Sequence, residues 1–189
     1  MIEFPLPIFG FSAFSGTGKT RLLTQVLQIL GRQGLRIGAV KHAHHRFEVD
    51  HPQSDSYQLR MAGADQMLVA SPNRMALVTE LDEAEPEPRL AELLRVLDPS
   101  SLDLVLVEGF KRERFPKIEL HRPSLGKRLL YPDDPDIIAI ATDGPLTTQP
   151  CHIPLLNLNQ PDSISDFLLA RCFGRPGKPA PVVPEFGQG

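Results

Sequence analysis

Eight residues near the start of the chain constrain its fold more than any other stretch: Ala13-Phe14-Ser15-Gly16-Thr17-Gly18-Lys19-Thr20. They end a short apolar run, Ile8 to Ala13, that reads as a buried strand. They lead into Leu22, Leu23, Val26, Leu27, Ile29 and Leu30 at helical spacing, closed by Gly31 and Gly34. A strand, a Gly-rich turn and a helix in that order expose backbone N–H groups and aim the positive end of the helix dipole at one point. Phosphate binds at such a point. The pattern is G-x4-G-K-[ST] with Ala13 in place of the first glycine. Ser15, Gly16, Thr17, Gly18, Lys19 and Thr20 are therefore the expected phosphate-binding residues. Lys19 is expected to reach the terminal phosphates, and the Thr20 hydroxyl to bind Mg²⁺.

The rest of the chain alternates strands and helices. Strands are expected at 35–40, 67–70, 75–79, 104–107, 118–120, 137–141 and 155–158, with helices at 55–62, 90–97 and 163–172. This alternation indicates an α/β fold of the P-loop NTPase type: a mostly parallel sheet flanked by helices, with additional short strands. A chain of 189 residues, 41% hydrophobic, supplies one sizeable core and is short for two. A single nucleotide-binding domain is expected over residues 1–173. Residues 174–189 hold four prolines and four glycines and read as a disordered tail. A formal charge of −3 and 6% aromatic residues without tryptophan disfavour a nucleic-acid surface. No apolar run reaches the roughly 18 residues of a membrane span. The start of the chain lacks a signal-peptide pattern, and the two cysteines, Cys151 and Cys172, form no CxxC pair. A cytoplasmic protein without nucleic-acid or membrane partners is expected.

Further residues are candidates for the site. Glu108 follows the apolar strand 104–107, where a P-loop protein places the carboxylate that serves the Mg²⁺ shell or positions water. Asp50 and Asp55 follow the second strand, and Asp50 is preferred as a further metal ligand. Lys19, Glu108 and Asp50 form the candidate catalytic set, and Thr20, Asp50 and Glu108 the candidate metal set. Thr142-Asp143 ends another strand, where a carboxylate accepts from guanine N1–H and N2–H₂; Asp143-Gly144-Pro145 also reads as a plain turn. Lys41-His42-Ala43-His44-His45 is open to three readings: a metal site, a cationic contact for an anion or partner, or an exposed loop. Two blocks of opposite charge follow. Residues 80–92 carry six acids against Arg89, and residues 111–128 carry seven Lys/Arg against two Glu. They read as solvated faces, or the basic block as a contact for a phosphorylated molecule or an acidic partner.

Taken in order, AFSGTGKT (13–20), KHAHHRFEVD (41–50), DSYQLRMAGA (55–64) and LDLVLVEGFK (102–111) resemble the MobB family of molybdenum-cofactor biosynthesis. The resemblance covers roughly residues 6–170. It implies a GTP-binding, generally homodimeric adaptor with at most slow GTPase activity. The implied partner is the guanylyltransferase that joins GMP to molybdopterin, giving molybdopterin guanine dinucleotide. By position it implies GTP phosphates at Ser15 to Thr20, Mg²⁺ among Thr20, Asp50 and Glu108, and guanine at Thr142-Asp143. Lys41, His42, His44, His45 and Lys111 become candidate contacts for molybdopterin or the partner. Two alternatives remain. A P-loop kinase of small metabolites would use Arg112, Arg114, Arg122 and Arg128 in a lid over the phosphates, and a metallochaperone GTPase would use the histidines.

Overall fold

The computed structural model describes residues 2–43, 47–82, 87–146 and 152–174. In chain order its elements are β1 (Ile8–Ala13), α1 (Lys19–Arg32), β2 (Ile37–Lys41), α2 (Asp55–Met61), β3 (Gln66–Ser71), β4 (Arg74–Thr79), α3 (Leu90–Leu94), β5 (Leu104–Glu108), β6 (Lys117–His121), β7 (Ile137–Thr142), β8 (Leu155–Asn157) and α4 (Pro161–Phe173). They fall into two compact units, residues up to His42 together with those from Arg89 onward, and residues 43–88. The sequence reading did not set the second unit apart. The proposed tail lies outside the described residues from 175 on, as do His44, His45 and Cys151.

The first unit is built on a six-stranded sheet ordered β2-β5-β1-β6-β7-β8, with every neighbouring pair parallel. Parallel strands covered on both faces need apolar side chains in both directions. The alternation along β1 shows how that is met. Phe9, Phe11 and Ala13 join Leu106, Ile118, Leu120 and Ala141 beneath α1 and α4, with Val26, Leu30, Ile164 and Leu168 closing the layer. Ile8 points the other way, into a smaller cluster with Val105, Val107, Leu90, Leu94, Phe110 and Phe115. Each Leu or Phe removed from water in these layers contributes about 1.5–3 kcal/mol before the entropy of ordering is counted.

β6 departs from this rule. Lys117, Glu119 and His121 alternate onto one face, and all three are buried. Buried charges persist only where they are paired or hydrogen-bonded. The Lys117 ammonium donates to Asp134 Oδ2 at 2.8 Å, and the Glu119 carboxylate accepts the N–H groups of Leu130 and Tyr131, each at 2.8 Å. These bonds lay the irregular segment 122–136, with short 3₁₀ turns at Pro123–Leu125 and Tyr131–Asp133, against the sheet. Its first residue, Arg122, directly follows β6 at the carboxyl end of the strand.

In the second unit, the Ser54 hydroxyl caps α2 by accepting the Tyr57 N–H at 3.2 Å. β3 and β4 form an antiparallel hairpin in the register Leu68↔Leu77 and Ala70↔Met75. No helix among the described residues is long and apolar enough to cross a membrane.

Candidate functional site

All strands of the main sheet run the same way, so the segments following β1, β5, β6 and β7 emerge at one edge. β1 lies between β5 and β6, and the chain leaves β1 toward one side and returns on the other. Ligands of open α/β sheets bind at the carboxyl edge beside such a reversal. The loop 14–18 lies there.

Within that loop the backbone is bent by glycine. Gly16 and Gly18 adopt φ of 84° and 89°, a left-handed region that a side chain disfavours. Thr17 is buried. Its hydroxyl donates to the Phe14 carbonyl at 2.8 Å, so it braces the turn from within and its oxygen is not turned to a ligand. Gly18 caps α1 without a side-chain bond, and the first turn of α1 carries no acid. The N–H groups at the start of a 14-residue helix are thus left for an anion.

Three side chains converge on the loop. Glu108, the last residue of β5, lies 3.4 Å from the Lys19 ammonium, and the Thr20 hydroxyl donates to the same oxygen at 3.4 Å. Lys111 reaches back to donate to the Ala13 carbonyl at 2.7 Å. Partial burial, then the nearby charge of Lys19, lowers the Lys111 pKa from its ordinary value. A tight turn makes this convergence possible. Gly109 has φ 103° and Phe110, without glycine's freedom, φ 50°. The turn reverses the chain within two residues, so that Glu108 and Lys111 both address the loop. Such backbone strain concentrates at functional sites. His42 closes the turn, donating its N–H to the Glu108 carbonyl at 2.8 Å and stacking on Phe110 with ring centroids 4.8 Å apart.

Beyond β6 and β7, the Arg122 guanidinium pairs with Asp143 and donates through Nε to the Thr17 carbonyl at 2.9 Å. The Thr142 hydroxyl accepts the Gly144 N–H and donates to the Gly144 carbonyl, folding the strand end around Asp143.

The sequence-predicted residues are therefore distributed as follows. Ser15 to Thr20 and Glu108 come together at the sheet edge, and Thr142-Asp143 is joined to the same loop through Arg122. Lys41 stands opposite Glu108 in the sheet register, with His42 next to it. Asp50 belongs to the second unit, where it lies 3.5 Å from Arg60. Arg60 is buried and also holds Glu48, at 2.8 Å, and Glu80. His44 and His45 lie outside the described residues. Among the described residues no three His, Cys, Asp or Glu side chains gather closely enough to hold a metal ion. A P-loop Mg²⁺ does not require such a cluster: it takes hard oxygens, keeps several waters and leans on the phosphates. The Thr20 hydroxyl and the Glu108 carboxylate, beside each other at the helix start, fit that donor set.

Five of the seven basic residues in the block 111–128 have partners within the chain. Lys111 is committed to Ala13, Arg114 to Asp136, Lys117 to Asp134, Arg122 to Asp143 and Arg128 to Asp133. Three of the four arginines proposed for a kinase lid are thus engaged within the chain. Sequence reasoning missed that Lys111 and Arg122 donate to the main-chain carbonyls of Ala13 and Thr17. The only signal available was that both follow a strand end, at 109–111 and 121–122.

Comparison with known proteins identifies the family and the fold. Residues 8–143 match the family described as "Molybdopterin guanine dinucleotide synthesis protein B", MobB. The molybdopterin-guanine dinucleotide biosynthesis adapter protein of Escherichia coli (strain K12) is 44% identical over 168 residues, covering 87% of this chain and 92% of that protein. Its namesake in Haemophilus influenzae is 38% identical, covering 86% and 88%. Among solved structures, a crystal structure of Bacillus subtilis MobB superposes with a TM-score of 0.67 at 26% identity, over 89% of this chain and 99% of that one. A MobB homologue from Bacillus stearothermophilus gives 0.65 at 26% identity over the same shares.

Proposed function

This chain belongs to the MobB family, and on that premise we propose that it is a GTP-binding adaptor in molybdenum-cofactor biosynthesis, assisting the attachment of GMP to molybdopterin to form molybdopterin guanine dinucleotide. The observation that carries the nucleotide part is the meeting of four strand ends at one edge: the glycine-bent loop after β1, Glu108 on β5, Arg122 after β6 and Asp143 after β7.

Each residue then has a definite task. Backbone N–H groups from Ser15 to Thr20 cradle the β-phosphate, and Lys19 exchanges its contact with Glu108 for the terminal phosphate oxygens. The Thr20 hydroxyl and the Glu108 carboxylate would hold Mg²⁺, which would neutralise charge on the phosphates. Asp143 accepts hydrogen bonds from guanine N1–H and N2–H₂, donors that adenine does not present together. Asp50, the further metal ligand expected from the sequence, belongs to the other unit and is paired there with Arg60, so no part of this reading rests on it.

The proposed partners are the molybdenum-cofactor guanylyltransferase, molybdopterin, and a second copy of the chain, in the cytoplasm. Lys41, His42, His44 and His45 remain candidate contacts for molybdopterin or the enzyme. The hairpin β3–β4 supports the homodimer. Leu68, Met75 and Leu77 lie on one of its faces and are 56%, 73% and 51% exposed, the kind of apolar patch that marks an interaction site. Light scattering on the purified chain is expected to return twice the monomer mass.

Titration calorimetry with GTP and ATP in Mg²⁺ tests the central reading. GTP is expected to bind more tightly, and Lys19→Ala to abolish binding of both. Equal affinity for the two nucleotides, or unchanged affinity in Lys19→Ala, would overturn it.

A further inference from the structure

The guanidinium of Arg122 has two separate commitments. Nε donates to the carbonyl of Thr17, inside the phosphate loop, at 2.9 Å. Nη1 pairs with Oδ2 of Asp143 at the end of β7. The remaining nitrogen, Nη2, lies 3.8 Å from where a side chain on Gly18 would begin, beside the start of α1. Arg122 follows the last residue of β6 directly, and its carbonyl accepts the Leu125 N–H at 3.0 Å, so its main chain is tied to the strand end. One rigid planar group thus spans the two parts of the edge that a nucleotide must address together, its phosphates and its base.

We propose that Arg122 is the positioning residue that sets base preference, by holding the Asp143 carboxylate at a fixed place relative to the phosphate loop. This rests on the reading of Asp143 as the base acceptor and adds to it the residue that makes that acceptor selective. A carboxylate on a loop is a weak discriminator, because it can rotate or withdraw when an ill-matched base arrives. With Oδ2 tied to a guanidinium anchored on Thr17, Oδ1 is presented at one position. An ionised carboxylate is an acceptor only. A base edge that donates N–H groups is bonded there, while the N1 lone pair of adenine meets a fixed negative oxygen and is rejected. The selected ligand class is a purine nucleoside triphosphate with donors on that edge. Lysine cannot replace arginine in this role, since its single ammonium lacks the fork that serves two acceptors in different directions.

The experiment measures affinities of the full chain for GTP, ATP and inorganic tripolyphosphate, in wild type, Arg122→Ala, Arg122→Lys, Asp143→Asn and the Arg122→Ala/Asp143→Asn double variant. Circular dichroism melts verify that each variant is folded. Arg122→Ala is expected to weaken GTP by about tenfold or more relative to ATP and tripolyphosphate, the scale of one charge-assisted hydrogen bond, on top of whatever smaller fall the three ligands share through the lost Thr17 contact. Arg122→Lys is expected to lose the GTP-over-ATP ratio as fully as Arg122→Ala, although it keeps the charge. The double variant is expected to show the same GTP-over-ATP ratio as Asp143→Asn alone, because base preference acts through one acceptor. An equal fall for all three ligands would make Arg122 a brace of the loop and overturn the proposal, as would an unchanged ratio. If wild type shows no GTP preference, or Asp143→Asn keeps it, the base reading itself fails. If Asp143→Asn abolishes the ratio while Arg122→Ala preserves it, only the Arg122 proposal fails.

Discussion

Gly109→Ala probes the turn that aims Glu108 and Lys111 at the phosphate loop. The residue sits at φ 103°, and a methyl group added there would come 2.5 Å from His42 Cβ and 3.5 Å from His42 Cα. Neither contact can be relieved by rotating a side chain, since both partners are fixed to the backbone. His42 is itself tied by its N–H to the Glu108 carbonyl at 2.8 Å. Holding alanine in this backbone region costs about 1–3 kcal/mol. Forcing a methyl into filled space adds about 1–3 kcal/mol. The sum, about 2–6 kcal/mol, corresponds to a fall in melting temperature of roughly 5–20 °C for a chain of this size. If the turn instead relaxes outward, the melting point is spared, but Glu108 and Lys111 leave the loop and triphosphate affinity drops.

Differential scanning calorimetry and a GTP titration on the same preparations separate these outcomes. Two control substitutions divide the cost into its parts. Gly63→Ala meets nothing within 4 Å but sits at φ 111°, so it carries the backbone term alone. Gly31→Ala lies in α1 with ordinary φ and open space, and is expected to be neutral or stabilising by up to about 1 kcal/mol. The predicted order of melting points is Gly31→Ala, then Gly63→Ala, then Gly109→Ala. A Gly109→Ala protein that melts within 2 °C of wild type and binds GTP unchanged would refute the reasoning about this turn.

Lys111→Met removes the donor to the Ala13 carbonyl together with an ammonium whose pKa is lowered by partial burial and then by the nearby charge of Lys19. Triphosphate affinity is expected to fall by about three- to thirtyfold, on the scale of one hydrogen bond with a charged partner, while the melting point stays close to wild type; an unchanged affinity would show that Lys111 does not shape the loop. His121 is held below its ordinary value of 6.5 by burial, against an opposing pull from Asp143, so below pH 6.5 the unfolded chain takes up its proton before the folded one does. Stability attributable to His121 is therefore lost as pH falls from 6.5 toward its folded value, and His121→Gln is expected to flatten that part of the melting-point curve. Burial raises Glu119, 4.0 Å away, and gives a slope of opposite sign from pH 4.5 upward. The informative quantity is accordingly the difference between variant and wild type as pH falls below 6.5, in which the Glu119 slope is common to both, and parallel curves would remove His121 as the source.

The strand, loop and helix around Lys19 were legible in the sequence because apolar periodicity and glycine spacing are local properties. β1 spans Ile8–Ala13, as its hydrophobic run indicates, and the placement of Glu108 at a strand end followed from the same local pattern. Strand order was not legible. No local feature states that β5 inserts between β2 and β1, yet this pairing, with Lys41 opposite Glu108, carries His42 to the site. Lys111 and Arg122 were visible only as members of a basic block. Their acceptors are 98 and 105 residues away in the chain, on main-chain carbonyls that carry no side-chain signature. The β6 face shows the same limit in reverse. Lys117, Glu119 and His121 look like a solvated edge by composition, and the partners that bury them arrive on a segment without regular structure.

The one departure from the phosphate-loop pattern, Ala13 where the pattern has glycine, follows from this geometry. Glycine is required where the backbone takes a positive φ or where a side chain would collide. In this loop those demands fall on Gly16 and Gly18. Ala13 is the last residue of β1, paired with Leu120 in the sheet register, and its φ is not positive. Its methyl belongs to the layer formed by Phe11, Leu120 and Ala141, where it fills space that glycine would leave open. Its carbonyl is the acceptor for Lys111. The function of the first position is thus carried by its main chain, which alanine supplies as well as glycine does. The loop begins after Ala13, and the substitution leaves the glycine-bent turn unaltered because it lies two residues before Ser15.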